Sequence, residues 1–187
     1  MAGESDGKPQ AASVLRAARE AAEGAKGPPP VHLWDPPYCG EMDLVIKRDG
    51  TWVHEGGVIG RPGLVRLLAS VLKREGDRHF LVTPGEKLGI TVEDAPFLAV
   101  DVEREGDALV FGTSLGEHVA AGPDHPIRVE TAADGEPAPY VEVRRGLEAL
   151  IDRKTFYRLV EMAEERGGRL GVASGGAFFV LGSAGDV

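Results

Sequence analysis

The hydrophobic positions of the chain fall mainly into short runs of strand length, separated by turns that contain glycine and proline. Runs that flank such a turn predict β-hairpins, and an Asp-Gly pair is a strong signal for a tight one. A Pro-Gly pair predicts a type II turn, because proline suits its second position and glycine supplies the positive φ at its third. Three hairpins are predicted: residues 44–47 with 51–54 around Arg48-Asp49-Gly50, residues 79–83 with 88–92 around Pro84-Gly85, and residues 97–103 with 108–114 around 105–107. Further strands are predicted at residues 140–144, 169–174 and 177–181.

Two stretches with helical spacing of apolar residues interrupt the strands. The first predicts a helix over residues 62–74, where Pro62 suits the first turn. The second predicts a helix over residues 153–166, and Asp152 can cap its start. Each helix has one apolar stripe and one charged face, so both are expected to pack on a core. The stripes are Leu64, Leu67, Leu68, Val71 and Leu72 in the first, and Phe156, Leu159, Val160 and Ala163 in the second.

The contexts of the two helices match, and this predicts an internal duplication. Residues 45–92 and residues 141–181 each contain a strand pair, a helix and a second strand pair, and the match aligns Arg61 with Arg153. The alternative is chance similarity between two amphipathic segments. The predicted fold class is α+β: two duplicated, mainly antiparallel β units, each with one packed helix.

The first 30 residues differ from the rest in being rich in alanine, glycine and proline. We expect a flexible arm over residues 1–30, an N-terminal domain over 31–97 and a C-terminal domain over 98–187. Val14 and Ala18 lie on one face of a possible short helix over residues 11–23, which would dock weakly because alanine buries little area.

Composition and charge exclude several classes of partner and of protein. The 187 residues carry a formal net charge of −9, and an acidic surface disfavours nucleic-acid binding. The single cysteine excludes an internal disulfide. No apolar run approaches the roughly 20 residues of a membrane helix, and the polar N-terminus does not resemble a signal peptide. We therefore expect a cytoplasmic protein with no membrane partner.

The glycine-rich stretch from Gly56 to Gly63 is the strongest candidate for ligand chemistry. It leads into the first predicted helix, whose N-terminal amides and dipole favour anions. Gly57 and Gly60 would let a ligand approach the backbone, and Arg61 could form a bidentate pair with a phosphate or carboxylate. No Gly-Lys-Ser/Thr sequence follows, so this is not a Walker motif. The alternative is a turn whose Arg61 pairs with a structural carboxylate.

Other residues are weaker candidates for the same site. Lys87 could add positive charge, although a solvated turn residue is the alternative. The aromatic residues Trp34, Tyr38 and Trp52 could stack on a base, or else belong to the core. His125 and Arg144 complete the predicted ligand set. The five histidines and Cys39 have no metal-ligand spacing, so neither a metal nor a cofactor is expected.

A set of short motifs recurs in a fixed order along most of the chain, at residues 34–40, Asp43, residues 49–52, 59–61, 83–84, 86–87, 94–97, 122–126, 139–141 and 146–150. This set resembles a bacterial family named domain of unknown function 1285. The resemblance covers about residues 31–182. It implies a two-domain duplication, a second domain similar to a pleckstrin-homology fold, a ligand site at the domain interface for a nucleotide-like molecule, and a signalling role.

Together these features predict a non-catalytic, intracellular ligand-binding or signal-transduction module. Its expected partner is a small anionic or nucleotide-like ligand at the domain interface. The alternative is a protein-interaction adaptor that uses an exposed strand edge or the N-terminal arm and has a protein partner. A third hypothesis is an enzyme whose site has no recognisable motif.

Overall fold

The computed structural model describes residues 8–185 of the chain. These residues form two compact units. Unit 1 contains the chain up to Lys47 together with Thr51–Glu93, and unit 2 contains Arg48–Gly50 together with the chain from Asp94 onwards. No helix among the described residues is long and apolar enough to cross a membrane.

Unit 1 is built around one mixed six-stranded sheet. The strand order is β3-β2-β1-β6-β5-β4, in which β1 and β6 are parallel and every other neighbouring pair is antiparallel. A short 3-10 helix, Val31–Leu33, precedes the sheet. The elements are α1 (Lys8–Ala22), β1 (Tyr38–Ile46), β2 (Trp52–His54), β3 (Gly57–Val58), α2 (Pro62–Ser70), β4 (Leu72–Glu75), β5 (Arg78–Val82) and β6 (Lys87–Val92).

The core of unit 1 includes part of the segment that was expected to be a flexible arm. Val14 and Ala18 in α1 have no exposed surface, and α1 packs against α2. Leu44 in β1 and Leu88 in β6 are equally buried. Residues 8–22 of the expected arm thus form a helix in which a valine and an alanine, one helical turn apart, provide an apolar contact. Residues 1–7 of the arm lie outside the described residues.

Unit 2 contains a second six-stranded sheet and a separate three-stranded one. The strand orders are β10-β11-β12-β7-β8-β9, with β12 and β7 parallel, and β13-β14-β15, which is antiparallel throughout. The elements are β7 (Phe97–Glu105), β8 (Ala108–Thr113), β9 (His118–Ala120), β10 (Ile127–Thr131), β11 (Pro137–Arg144), β12 (Leu147–Ile151), α3 (Arg153–Glu161), β13 (Glu164–Arg166), β14 (Arg169–Ser174) and β15 (Ala177–Ser183).

The two six-stranded sheets have the same topology. In each, a three-stranded meander is followed by a second meander, and the last strand of the second lies parallel to the first strand of the first. The described residues therefore form a mostly β protein with three helices and a duplicated organisation. A duplicated organisation is confirmed, but the sheet topology relates residues 38–92 to residues 97–151, and not residues 45–92 to residues 141–181 as the sequence predicted. The expectation of mainly antiparallel sheets missed the parallel pairs, which join strands that are distant in the sequence.

Both core helices are shorter than predicted. α2 ends at Ser70 rather than at residue 74, and α3 ends at Glu161 rather than at residue 166. In each case the chain after the helix becomes an edge strand, β4 or β13. Leu72, which fits the helical stripe, pairs instead with Leu81 in the neighbouring strand. A third difference concerns Gly85, whose φ is not positive, so the β5–β6 turn is not type II.

The structure also corrects the alignment of the repeat. The first repeat segment, residues 61–92, and the second repeat segment, residues 152–183, each contain a nine-residue helix followed by a three-stranded meander. A single offset in residue number aligns the two helices. The same offset aligns Gly76 with Gly167, and both residues have a φ of 59°. At that spacing the counterpart of Arg61 is Asp152, and not Arg153 as the sequence comparison predicted.

Candidate functional site

The Gly56–Gly63 stretch begins as a tight hairpin turn. Glu55 and Gly56 have φ values of 48° and 76°, and His54 pairs with Gly57 across the turn. Positive φ at both central residues is the geometry of a type I′ hairpin turn, which favours glycine. Gly57 then lies in β3. Backbone geometry therefore explains Gly56, Gly57 is part of a strand, and the part open to a ligand begins at Gly60.

Arg61 occupies the N-cap position of α2 without capping it. Its backbone is extended, with φ −97° and ψ 107°, and its side chain makes no capping hydrogen bond. The N–H groups of Leu64 and Val65 both donate to the carbonyl oxygen of Arg61, at 3.0 and 3.2 Å. Pro62 has no N–H to donate. One hydrogen-bond donor in the first turn of α2 therefore stays unpaired: the N–H of Gly63 has no partner among the described residues.

The side chain of Arg61 is exposed and forms no ion pair with any described residue. The alternative in which Arg61 holds a structural carboxylate therefore finds no support in the described part of the chain. An added Cβ at Gly60 or Gly63 would meet no atom within 4 Å, so the space on either side of Arg61 is open. A guanidinium, a free amide and open space are the components of a simple anion site.

Lys87 lies far from Arg61, contrary to the sequence-based prediction. It pairs with Tyr38 at the beginning of β1, whereas the loop that carries Arg61 joins the sheet beside Trp52, which pairs with Ile46 at the end of β1. The two cations are thus at opposite ends of the same sheet. Lys87 is also engaged, since its Nζ atom lies 2.9 Å from a carboxylate oxygen of Glu75. The register explains why one anion cannot contact both residues.

Lys87 and Tyr38 do lie together, around the ring of Phe80, and Trp34 is joined to Lys73 in the neighbouring strand β4. Lys87 lies 5.0 Å from the centre of that ring, and Tyr38 packs edge-on against it with ring centres 6.4 Å apart. Lys73 donates to the carbonyl oxygen of Trp34 at 3.3 Å and also pairs with Glu75 at 3.1 Å. Trp52, by contrast, is buried in the core.

A second carboxylate completes this cluster. The hydroxyl of Tyr38 and the guanidinium of Arg78 both donate to Glu41. These two donors hold the pKa of Glu41 below its ordinary value, the tyrosine hydrogen bond having the larger effect. This carboxylate lies directly above Gly89 and fills the space that a side chain at position 89 would otherwise occupy. The charges around Phe80 are therefore satisfied by one another, which makes this cluster a less favourable anion site than Arg61.

His125 and Arg144 are both engaged within unit 2. His125 is bridged to Gly122 by two backbone hydrogen bonds, and its Nδ1 atom lies 3.1 Å from the carbonyl oxygen of Glu142. The guanidinium of Arg144 pairs with Glu117 and lies 5.0 Å from the centre of the Phe97 ring. These contacts hold both side chains in fixed positions in unit 2.

Sequence reasoning did not identify a polar network centred on Arg128. Its guanidinium contacts Glu148 through two nitrogens, at 2.6 and 2.7 Å, and lies 4.4 Å from the centre of the Tyr140 ring. Tyr140 in turn donates to Asp94 at 2.6 Å, and burial followed by this hydrogen bond raises the pKa of Tyr140. Only the strand register brings these residues together, so no local motif could have revealed them.

Among the described residues, no group of three or more His, Cys, Asp or Glu side chains could hold a metal ion. Cys39 is exposed, and its Sγ atom lies 3.3 Å from the carbonyl oxygen of Pro37.

Comparison with known families accounts for nearly all of the chain after α1. The model of the N-terminal domain of DUF1285, a domain of unknown function, matches residues 29–95, and the model of its C-terminal domain matches residues 96–181. The chain belongs to the DUF1285 family. The resemblance seen in the sequence motifs is thereby confirmed, and no curated protein matches this DUF1285 chain.

Two solved structures of DUF1285 family proteins are similar to this one. The protein from Silicibacter pomeroyi DSS-3 is 53% identical, with a TM-score of 0.85 over 92% of this chain and 96% of its own. The protein from Shewanella baltica OS155 is 30% identical, with a TM-score of 0.53 over 64% of this chain and 91% of its own. The two family models thus cover the strands of both units together with α2 and α3, and α1 lies before the residues that they match.

Proposed function

We propose that this DUF1285 protein is a cytoplasmic, non-catalytic module for signal transduction that binds a small anionic or nucleotide-like ligand at the start of α2. The observation that carries the proposal is Arg61, an exposed guanidinium with no ion pair in the described structure, beside the unpaired N–H of Gly63. Anions are stabilised at a helix N-terminus by such donors and by the helix dipole.

The charge of the whole chain supports a compact ligand. A protein with a net charge of −9 repels extended polyanions, whereas a local positive group still attracts a single phosphate or carboxylate. Arg61 can donate two parallel hydrogen bonds to such a group. The proposed ligand is therefore one anionic headgroup, and not a nucleic-acid backbone.

A thermal-unfolding screen tests this proposal. The probes are inorganic phosphate, acetate, and nucleoside mono-, di- and triphosphates. A ligand present at about 100 times its Kd stabilises the folded state by about 2.7 kcal/mol. For a chain of this size each kcal/mol moves Tm by about 2–4 °C, so we expect a shift of about 5–11 °C. If none of the probes changes Tm, the proposal is wrong.

Two arginine variants make the screen specific. Arg61→Ala should weaken binding by about 1.5–3 kcal/mol, the range for a hydrogen bond to a charged group. Arg66→Ala is the matched control, because Arg66 is also exposed and lies on the same helix, beyond its first turn. The control should keep the full shift. Equal losses in both variants would show that only net charge matters and that no site exists at Arg61.

We also interpret unit 2 as similar to a pleckstrin-homology fold. The support is its architecture: two separate β-sheets, largely antiparallel, with α3 in contact with strands of both. Comparison of experimental coordinates of unit 2 with pleckstrin-homology domains tests this interpretation. It fails if the strand order and the helix position cannot be matched.

The alternative function is a protein-interaction adaptor without a small-molecule ligand. The docked helix α1 is the observation that favours it, since α1 lies before residue 29, where the family match begins.

A further inference from the structure

Strand β3 is an open edge of the sheet in unit 1. It stands at the end of the strand order, and its two residues, Gly57 and Val58, are both exposed. The N–H of Ile59 donates to the carbonyl oxygen of Trp52 at 2.9 Å, so these two residues form a hydrogen-bonded pair of the antiparallel ladder. Such pairs alternate with pairs that are not hydrogen-bonded, and Val53 with Val58 is the pair of that second kind. The N–H and C=O groups of Val58 therefore point away from β2, towards the open side.

This edge lacks the protection that the opposite edge of the same sheet has. In β4, Lys73, Arg74 and Glu75 are charged, and the 3-10 helix packs against the strand. Charged residues and covering segments are the usual means by which proteins prevent pairing at a sheet edge. Neither residue of β3 is charged, and Val58 is 68% exposed. An added strand would pair with the free backbone groups of Val58 and cover its side chain.

A cation lies at one end of this edge. Beyond Val58 the chain continues to Arg61, whose backbone is extended, and the N–H of Gly60 has no hydrogen-bond partner among the described residues. Three extended residues span about 10 Å, so a strand beside Val58 reaches Arg61 within about three residues. The space beside Gly60 is open, and Arg61 forms no ion pair with a described residue. A strand added to β3 thus meets an uncompensated positive charge at one end.

We propose that the anion bound at Arg61 is the C-terminal carboxylate of an extended peptide, and that the last residues of this peptide pair with β3. This inference rests on the proposed function, since it takes Arg61 as the anion site and names the class of ligand. Because Arg61 follows β3 in the sequence, the peptide runs parallel to β3, with its C-terminus at Arg61 and the preceding residues beside Gly60 and Val58. Main-chain hydrogen bonds to the edge strand supply affinity, and capture of the carboxylate by the guanidinium fixes the register.

Two matched series of peptides test this inference on the full-length chain. The probes are fluorescent, N-terminally blocked hexapeptides that vary in their last three residues, each synthesised with a C-terminal carboxylate and with a C-terminal carboxamide. We expect the best carboxylate peptides to bind at least about tenfold more tightly than their carboxamides, which lack the charge that strengthens these hydrogen bonds. Arg61→Ala should remove this preference, and Arg66→Ala, the exposed control on the same helix, should keep it. Equal affinity of the two forms for the wild-type chain, or failure of every peptide to bind, overturns the inference.

A backbone variant tests the pairing with β3. Val58→Pro removes an N–H that points away from β2, and proline is tolerated at such an edge position. Both peptide forms should bind this variant about two- to tenfold more weakly, the range for one lost hydrogen bond. Val58→Thr keeps the N–H and should bind as the wild-type chain does. In NMR spectra of the wild-type chain, the amide signals of Val58 and Gly60 should shift when peptide is added, whether or not the proline variant folds. Peptide binding without these shifts would show that β3 is not the docking edge.

Competition separates this inference from the proposed function. Inorganic phosphate, at a concentration that raises Tm, should displace the bound peptide, because both ligands use Arg61. Binding of phosphate or a nucleotide that depends on Arg61, without binding of any peptide, leaves the proposed function intact and overturns the inference. If no anion and no peptide binds, both fail.

Two further outcomes would identify a different occupant and overturn the inference. A carboxamide peptide that ends in aspartate and binds as tightly as the best carboxylate peptide would show that the site recognises an acidic side chain. A concentration-dependent dimer of the wild-type chain that Val58→Pro dissociates would show that a second copy of the chain occupies the edge of β3.

Discussion

The two repeat segments form the same local structure from different residues at the start of the helix. In the second segment Asp152 caps α3 by accepting the N–H of Thr155 at 2.8 Å. The next residue, Arg153, donates to the hydroxyl of Tyr157 at 2.9 Å and is thereby engaged. In the first segment the same position holds Arg61, which neither caps α2 nor forms an ion pair among the described residues. The helix bounds are nevertheless equivalent, so a cap is not what determines where this helix begins.

This difference bears on the role of Arg61. A good capping residue stabilises a helix by about 1 kcal/mol, and arginine is not among the preferred residues. The first segment thus lacks a stabilising contact that the second segment has, and it exposes a cation there instead. A surface used for binding often gives up some stability in this way. The comparison supports the proposal of an anion site at α2 rather than at α3.

The meanders differ in which strand carries the large residue. In the first segment Phe80 of β5 pairs with Gly89 of β6. In the second segment the counterpart of Phe80 is Gly171, and the ring of Phe178 from the neighbouring strand covers it. The glycine thus lies opposite Phe80 in the first segment, whereas Gly171 lies opposite Val180 in the second. The space above each glycine is filled in a different way: by the Glu41 carboxylate in the first segment and by an aromatic ring in the second.

The largest expected effect comes from adding a methyl group at these glycines. In Gly171→Ala the new Cβ would lie against the backbone oxygen of Phe179, which cannot move without the strand, and 2.6 Å from Cζ of Phe178. We expect a loss of about 3 kcal/mol, at the upper end of the range for overpacking. In Gly89→Ala the obstacle is the end of the Glu41 side chain, which can rotate away. That variant should lose about 1 kcal/mol. Urea unfolding of both proteins measures the difference, and equal losses would contradict this account of the two meanders.

The next effect tests the two helix starts. Asp152→Ala removes the cap of α3 and should lower the free energy of unfolding by about 1 kcal/mol. Arg61→Ala at the equivalent position of α2 should change it by less than about 0.5 kcal/mol, because the side chain has no described partner. Thermal unfolding at low salt without added anions measures both. A loss for Arg61→Ala as large as that for Asp152→Ala would show that Arg61 is structural.

Local patterns predicted much of this fold but not its long-range pairing. The three hairpins and both core-helix starts were predicted correctly, because turn residues and apolar spacing act over a few positions. The edge strand β4 was missed, since Leu72 fits either a helical stripe or a strand. The parallel pairing of β1 with β6 depends on residues far apart in the sequence. The same limit affected the candidate site, because only this register separates Lys87 from Arg61.

The smallest expected effect concerns pH and again compares equivalent positions. His79 in β5 lies between Arg74 and Ile90, and its Nε2 atom is buried without a hydrogen-bond partner. Burial, and secondly the charge of Arg74, lower the pKa of His79 from its ordinary value of 6.5. Below pH 6.5 the unfolded chain therefore binds a proton that the folded chain resists, so stability declines as the pH falls.

The counterpart of His79 in the second segment is Leu170, which does not titrate. We expect His79→Leu to remove this decline, a difference below about 1 kcal/mol between pH 7 and pH 5. The variant also provides the control, because Glu41 and Glu75, whose pKa values are lowered, remain in it and titrate at lower pH. Urea unfolding at half-unit pH steps measures both proteins, and parallel stability curves from pH 7 to pH 5 would show that His79 does not contribute.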